Sequence, residues 1–228
     1  MDREVKERFD TIHKHYDFYN HLFSFGLDIG WRNAAALESV MPRKRYSVLD
    51  IGTGTGDFAI AINRAGIASG REVSITGTDM NVNMLEHARK KIASLSIDGI
   101  VLRQGDAFHT RFRDSSFDVV TSAFVMRSLG DRLDEFAKEA YRVTKRGGKV
   151  VMVDMALPDK NAAFVKAHFK VINAIGFFAG RKSYSWLTSS ITEFDKSHAA
   201  RVFRDAGFRE VRISGLRSGV AFMLTGNK

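Results

Sequence analysis

The chain has 228 residues, which is enough for one sizeable core and short for two full domains. It contains no cysteine, so disulfides, thiolate zinc sites and a cysteine nucleophile are excluded. The formal charge of +9 suits nucleic acid or an anionic membrane surface, but the basic residues are scattered and form no tight run. We therefore disfavour a nucleic-acid partner and keep peripheral membrane contact as an open alternative.

The opening residues "MDREVKERFD" are charged where a signal peptide needs an apolar stretch. No apolar run approaches the roughly 20 residues that span a bilayer. These two observations predict a soluble, cytoplasmic protein.

Short apolar runs alternate with helical patterns along most of the chain. Strands are predicted over residues 47–51, 72–79, 99–106, 117–124, 149–156, 209–216 and 219–226. Helices are predicted over residues 57–66, 81–95, 131–145 and 198–208, with Gly66 ending the first and Gly147-Gly148 stopping the third. This alternation is typical of an α/β protein with a doubly wound, mostly parallel sheet of seven strands. The short link before the last strand makes that strand antiparallel.

The chain reads as a single domain, residues 1–228, with two attachments to the alternating core. An amphipathic N-terminal segment and an aromatic-rich segment after the fifth strand lie outside the alternation. The predicted parts are a helical cap (1–42), a core (43–156), an insertion (157–194) and a closing helix with a strand pair (195–228).

The stretch "VLDIGTGTGDFA" (48–59) carries three glycines, spaced two apart, between the first strand and the first core helix. Such a turn lets the backbone approach a ligand closely. The spacing differs from the dinucleotide pattern G-x-G-x-x-G, and Asp57 follows the third glycine at once. A carboxylate there would repel a pyrophosphate but suits a ligand with a sulfonium and an ammonium. Asp50, before the first glycine, favours the same ligand.

Two later acidic residues narrow the choice of ligand. Asp79 ends the second strand, where a carboxylate can accept both hydroxyls of a ribose. Asp106 follows the third strand, where it can accept the amino group of an adenine while the amide of Ala107 meets a ring nitrogen. The carboxyl ends of parallel strands line one crevice, so the three acidic strand ends predict a site for S-adenosylmethionine.

The chain resembles class I S-adenosylmethionine methyltransferases and, more narrowly, the ubiquinone/menaquinone C-methyltransferase family. "FDTIHKHYDFYNHLFSFGLDIGWR" (9–32) is similar to that family's opening, "LDIGTGTGD" to its first cofactor motif and "SSFDVVTSAFVMRSLGD" (115–131) to its strand-four signature. The resemblance implies a Rossmann-like fold. It also implies methylation of a ring carbon in a phenol or hydroquinone, such as a demethylmenaquinol-type or ubiquinol-precursor lipid.

The resemblance also implies roles for individual residues. Tyr16 and Asn20 of the cap are expected to close over the sulfonium and the acceptor, and Tyr184 of the insertion is expected to contact the acceptor. Arg127, just past strand four, is expected to stabilise a phenolate. The cofactor-contacting positions are Gly52, Gly54, Thr55, Asp79, Met80, Asp106, Ala107 and Ala123, to which the charge argument adds Asp50. No metal is expected, because no histidine stands at a ligand spacing from carboxylates.

The motif after strand four departs from the family pattern. Val125 and Ser128 stand where the family usually has Gly and Asn, while Arg127 matches. These departures leave the acceptor open, and the alternatives are a small-molecule N- or O-methyltransferase, an RNA methyltransferase or a non-catalytic binding protein. An RNA substrate is disfavoured, because no Asn/Asp-Pro-Pro-aromatic stretch follows strand four. A homodimer is also an open alternative.

Overall fold

The structure is a computed structural model that describes residues 26–158, 189–217 and 220–228. The predicted acceptor residues Tyr16, Asn20 and Tyr184 lie outside the described residues. The predicted division into cap, core, insertion and closing unit therefore stays a prediction.

One seven-stranded sheet organises the described residues. Its strands are β1 (Arg45–Ile51), β2 (Glu72–Asp79), β3 (Ile100–Gln104), β4 (Phe117–Ala123), β5 (Thr144–Met155), β6 (Arg209–Gly215) and β7 (Ala221–Asn227). The α-helices are α1 (Leu27–Glu38), α2 (Asp57–Ala68), α3 (Val82–Ser94), α4 (Leu133–Val143) and α5 (Lys196–Asp205). Two short 3-10 helices, Met126–Ser128 and Gly130–Arg132, connect β4 to α4.

The strand order is β3-β2-β1-β4-β5-β7-β6. The five strands from β3 to β5 pair in parallel, and β7 is antiparallel to both β5 and β6. The predicted mostly parallel sheet with an antiparallel last strand is confirmed. Because β1 lies between β2 and β4, the order of the strands reverses beside β1. A ligand crevice is expected outside the carboxyl ends of the strands at such a switch point.

The central strands are buried on both faces of the sheet, which explains their continuous apolar sequences. Leu49 and Val48 of β1 belong to two different core clusters, and successive residues of a strand point to opposite faces. On one face, Phe136 of α4 packs against Phe203 of α5, with ring centroids 6.3 Å apart. On the other face, the buried Trp31 of α1 belongs to the cluster that Val48 joins.

Two predictions about glycines were wrong. Gly66 does not end α2, which continues to Ala68; a Cβ at Gly66 would lie only 2.8 Å from Cγ1 of Val73, so this glycine permits close helix-to-sheet packing. Gly147 and Gly148 do not stop α4, which already ends at Val143; both lie within β5. The Gly147 amide donates to the carbonyl of Lys228 at 2.8 Å, so the ladder with the C-terminal strand runs on through the glycines.

Among the described residues, no helix is both long enough and apolar enough to cross a bilayer.

Candidate active site

A pocket opens at the carboxyl ends of β1, β2 and β4, where the reversal of strand order leaves a crevice. Four loops, which follow the ends of β1, β2, β3 and β4, form its walls. The lining residues are Gly52, Gly54, Asp79, Met80, Asn81, Met84, Gly105, Asp106, Ala107, Phe108, Ala123, Phe124, Val125, Ser128 and Leu129. Seven of the predicted cofactor positions therefore line this one pocket; Asp50 and Thr55 do not.

The glycine turn after β1 is held to the end of β2 by backbone hydrogen bonds. The amides of Gly52 and Thr53 donate to the carbonyl of Thr78 at 2.7 and 2.9 Å. Gly52 and Gly54 have φ values of +71° and +55°, which residues that carry a Cβ rarely adopt. A Cβ on Gly54 would meet no atom within 4 Å, so the backbone at Gly54 is open to the pocket and accessible to a ligand.

Asp79 joins the glycine turn to the start of α3. One carboxylate oxygen accepts the Gly54 amide and the other accepts the Asn81 amide, each at 2.8 Å. Burial raises the pKa of Asp79, while these amides and that of Met80 oppose the rise. Each oxygen keeps a further lone pair, so the carboxylate can still accept hydroxyl groups from a ligand in the pocket.

The other acidic residues of the glycine motif point away from the pocket. Asp50 is completely buried beneath the turn, where Oδ1 accepts the hydroxyl of Thr121 at 2.9 Å. Burial raises the pKa of Asp50 to about 6, against the opposing hydroxyls of Thr53 and Thr121. Asp57 forms an ion pair of 2.7 Å with Lys91 of α3. Both carboxylates therefore hold the turn and its helix, a role that their place in the motif does not reveal.

The loop after β3 brings an aromatic ring to the pocket. Asp106 accepts the Phe108 amide at 3.0 Å, and its carbonyl accepts the His109 amide at 3.2 Å. This tight loop presents the ring of Phe108 to the pocket, and the guanidinium of Arg132 lies 3.6 Å from its centroid. The sequence reasoning missed Phe108, although its place directly after an acidic strand end was an available signal.

Phe124, directly after β4, was also missed. It has a φ of +64°, and a non-glycine residue in this region is a reservoir of strain of the kind found at functional sites. Its amide donates to the Val153 carbonyl at 2.8 Å. The guanidinium carbons of Arg32 and Arg127 lie 5.0 and 5.8 Å from its ring centroid. The ring is thus a fixed part of the pocket wall, held by cations from two elements.

Arg127 lies behind the wall that Phe124 forms. Its Nη1 lies 2.5 Å from Oδ1 of Asp154, and its backbone amide donates to Oδ2 at 3.1 Å. Its Nε is buried and has no hydrogen-bond partner among the described residues. The structure therefore shows Arg127 as a buried, ion-paired side chain next to the pocket, with one N–H donor unused.

The pocket combines two kinds of surface. The glycine turn, Asp79 and Asp106 provide open backbone and carboxylate acceptors suited to an adenosyl ligand. Phe108, Phe124 and Leu129 provide an adjoining apolar surface. Together the fold and the pocket define a methyltransferase that depends on S-adenosylmethionine. A sequence model of the ubiE/COQ5 methyltransferase family matches residues 1–228, and the chain belongs to that family.

Two relatives of known name cover nearly the whole chain. The demethylmenaquinone methyltransferase of Desulfitobacterium hafniense is 35% identical over 98% of this chain and 89% of that protein. The ubiquinone/menaquinone biosynthesis C-methyltransferase UbiE of Geotalea daltonii is 35% identical over 99% of this chain and 96% of that protein.

Solved structures agree with the fold. A SAM-dependent methyltransferase from Aquifex aeolicus superimposes with a TM-score of 0.62 at 17% identity, over 86% of this chain and 88% of that chain. A phosphoethanolamine N-methyltransferase of Haemonchus contortus, in complex with S-adenosyl-L-methionine, has a TM-score of 0.62 at 17% identity over 86% of this chain and 52% of that chain.

Proposed function

We propose that this enzyme methylates a ring carbon of a prenylated hydroquinone, either a demethylmenaquinol-type lipid or a ubiquinol precursor. The names of the two relatives support a quinone precursor as the acceptor. The observation that carries the proposal is the apolar half of the pocket. Phe108, Phe124 and Leu129 directly adjoin the polar half that fits the adenosyl group, so an apolar ring can lie next to the methyl donor.

The residues of the polar half hold the cofactor in this proposal. When bound, S-adenosylmethionine supplies an electrophilic methyl group on a sulfonium. Asp79 accepts the ribose hydroxyls, Asp106 accepts the adenine amino group and the Ala107 amide donates to the ring. The remaining contacts come from the backbone of the glycine turn and from Met80 and Ala123. Thr55, which is buried and does not line the pocket, supports the turn from behind in this proposal. Asp50 adds negative charge beneath the turn.

The apolar half excludes water from the acceptor ring, which strengthens every electrostatic interaction there. Tyr16, Asn20 and Tyr184 complete the acceptor side in this proposal. They rest on the family resemblance alone, since they lie outside the described residues.

Arg127 is proposed to stabilise the acceptor as a phenolate. A ring carbon becomes a good nucleophile when an adjacent hydroxyl ionises. A phenol has a pKa of about 10, so its ionisation near pH 7.5 requires roughly 3.4 kcal/mol. A hydrogen bond from a charged donor contributes about 1.5–3 kcal/mol. The Nε–H of Arg127 is buried and does not line the pocket, so in this proposal it becomes the donor when the pocket wall at Phe124 opens to it. A guanidinium keeps its proton, so the base is another group, for which we propose water.

Peripheral contact with an anionic membrane is part of the same proposal. Arg111 lines a cleft that shares Met80 and Asp106 with the pocket, and Arg132 lies over Phe108. Both arginines are exposed, and the chain carries a net charge of +9. Arg132 is ion-paired with Glu135, so in this proposal Arg111 and the net positive charge of the chain attract the membrane surface in which a prenylated acceptor dissolves.

The test is methyl transfer from labelled S-adenosylmethionine. The acceptors are one-ring and two-ring prenylated hydroquinones in anionic vesicles, with RNA and small amines in parallel reactions. The proposal expects label on a ring carbon of a hydroquinone, identified by mass spectrometry. Label on oxygen, on nitrogen or in RNA would contradict it. Asp79→Asn, which weakens the cofactor site, is the negative control.

A further inference from the structure

Val125 occupies the junction between the two halves of the pocket. It lines the pocket beside Phe124 and Leu129 on the apolar side. It also touches the polar side, because a Cβ placed on Gly52 would overlap the Cγ2 methyl group of Val125. The isopropyl group therefore fills the space directly above the first glycine of the turn.

The backbone on both sides of Val125 is fixed. The amide of the preceding residue, Phe124, donates a hydrogen bond to the carbonyl of Val153 in β5 at 2.8 Å. Two residues after Val125, both the amide and the guanidinium of Arg127 donate hydrogen bonds to the carboxylate of Asp154. The Val125 carbonyl accepts the Ser128 amide at 2.9 Å, which closes the 3-10 turn. These hydrogen bonds fix the backbone of Val125 at the edge of the pocket.

The side chain of Val125 is equally constrained. A β-branched residue has few χ1 rotamers, and the contact with Gly52 leaves less freedom still. Protein interiors close gaps poorly, so the width of the pocket at this point depends on the volume of this one side chain.

We propose that Val125 is a specificity-determining residue: its isopropyl group narrows the pocket above Gly52 and favours a one-ring hydroquinone over a two-ring naphthohydroquinone. The inference rests on the proposed function, since it assumes a hydroquinone in the apolar half. A second fused ring widens the acceptor in its own plane. In the apolar half, the added ring would meet the isopropyl group that already fills the space above Gly52.

The test measures binding, so it does not depend on turnover. Calorimetry under anaerobic conditions, with S-adenosylhomocysteine present, gives dissociation constants for a one-ring and a two-ring hydroquinone with the same short prenyl tail. The wild-type protein is expected to bind the one-ring compound about tenfold more tightly, and Val125→Ala is expected to bring the two within about threefold.

Two further variants serve as controls. Val125→Thr keeps the branched shape and is expected to keep the preference for one ring. Val101→Ala makes the same change as Val125→Ala at an exposed position of β3 and is expected to alter neither constant. An unchanged ratio in Val125→Ala, or a wild-type protein that prefers two rings, would overturn the inference alone. A protein that binds neither compound would overturn the proposed function, and the inference with it.

Discussion

Arg127 and Asp154 form an ion pair of 2.5 Å at the end of the β4–β5 pair, and their side chains are only 5% and 0% exposed. The pair fixes the turn after β4 through two contacts, one from the guanidinium and one from the Arg127 amide. A substitution at Arg127 therefore changes both the stability of the fold and the charge beside the pocket, and an experiment has to separate these effects.

Arg127→Ala is expected to reduce the free energy of unfolding by about 3–5 kcal/mol, because it leaves the Asp154 carboxylate buried without a partner. Turnover is expected to fall by roughly 10²-fold and the pH optimum to rise, since the phenolate loses its donor. The companion variant is Arg127→Met combined with Asp154→Asn. It removes both charges while keeping an oxygen for the Arg127 amide.

The double variant is expected to regain most of the lost stability, measured by urea denaturation, but not the lost turnover. If its turnover recovers along with its stability, Arg127 has a purely structural role.

Asp79→Asn is expected to weaken S-adenosylmethionine binding by about 30- to 150-fold, the loss of roughly 2–3 kcal/mol for charge-assisted hydrogen bonds. The variant is expected to remain folded but to lose some stability, because the Asn oxygen can accept only one of the Gly54 and Asn81 amides and the other amide then faces the NH2 group. Calorimetry measures the affinity, with the exposed Asp98→Asn as the matched control. Equal affinities in the two variants would remove Asp79 from the cofactor site.

Asp50 makes the stability of the protein depend on pH. Burial raises its pKa to about 6 from the ordinary value of 3.8, so the folded state holds the proton more tightly than the unfolded state. The stabilising contribution is complete below about pH 4 and is lost as the pH rises through about 6, a loss on the order of 3 kcal/mol.

Asp50→Asn removes this titration and is expected to flatten the fall in unfolding free energy as the pH rises from 4 to 7. Some slope remains, because burial also raises the pKa of Asp79. Urea denaturation at four pH values measures the slope, and identical profiles for the variant and the wild-type protein would contradict the assignment.

Gly52→Ala and Gly54→Ala separate backbone strain from a steric clash. Both glycines have positive φ, so an alanine at either position costs about 1–2 kcal/mol. Only at Gly52 does the added Cβ overlap Val125; at Gly54 it enters open space. Gly52→Ala is therefore expected to be the more destabilising by a further 1–3 kcal/mol or so.

Adding Val125→Ala to Gly52→Ala is expected to recover the excess, because the Cβ of residue 125 lies at an ordinary 3.6 Å from the new methyl group. Thermal unfolding of the wild-type protein, Gly52→Ala, Val125→Ala and the double variant gives the coupling energy between residues 52 and 125. A coupling near zero would mean that the turn relaxes away from Val125.

Local sequence pattern predicted the parts of the fold that depend on neighbouring residues. The predicted bounds of β2, residues 72–79, agree with the structure. Asp79 and Asp106 line the same pocket, as predicted, because the carboxyl ends of neighbouring parallel strands lie at the same edge of the sheet. The prediction that Gly66 ends α2 is wrong because a glycine that lets a helix pack closely on a strand looks the same in sequence as one that ends a helix. The partner of Arg127 was not predictable either, since Asp154 becomes its neighbour only through the pairing of β4 with β5.

The central strand pairs have a consequence for how fast the chain folds. Asp50 pairs with Thr121 and Val151 with Thr225, so these ladders join segments separated by about seventy residues. Closing such long loops costs entropy before any contact compensates for it, and chains rich in distant contacts refold in milliseconds to seconds. The hairpin of β6 and β7 is far more local and can form early. The switch-point crevice, which needs β1 beside β4, is then one of the last features to appear during refolding.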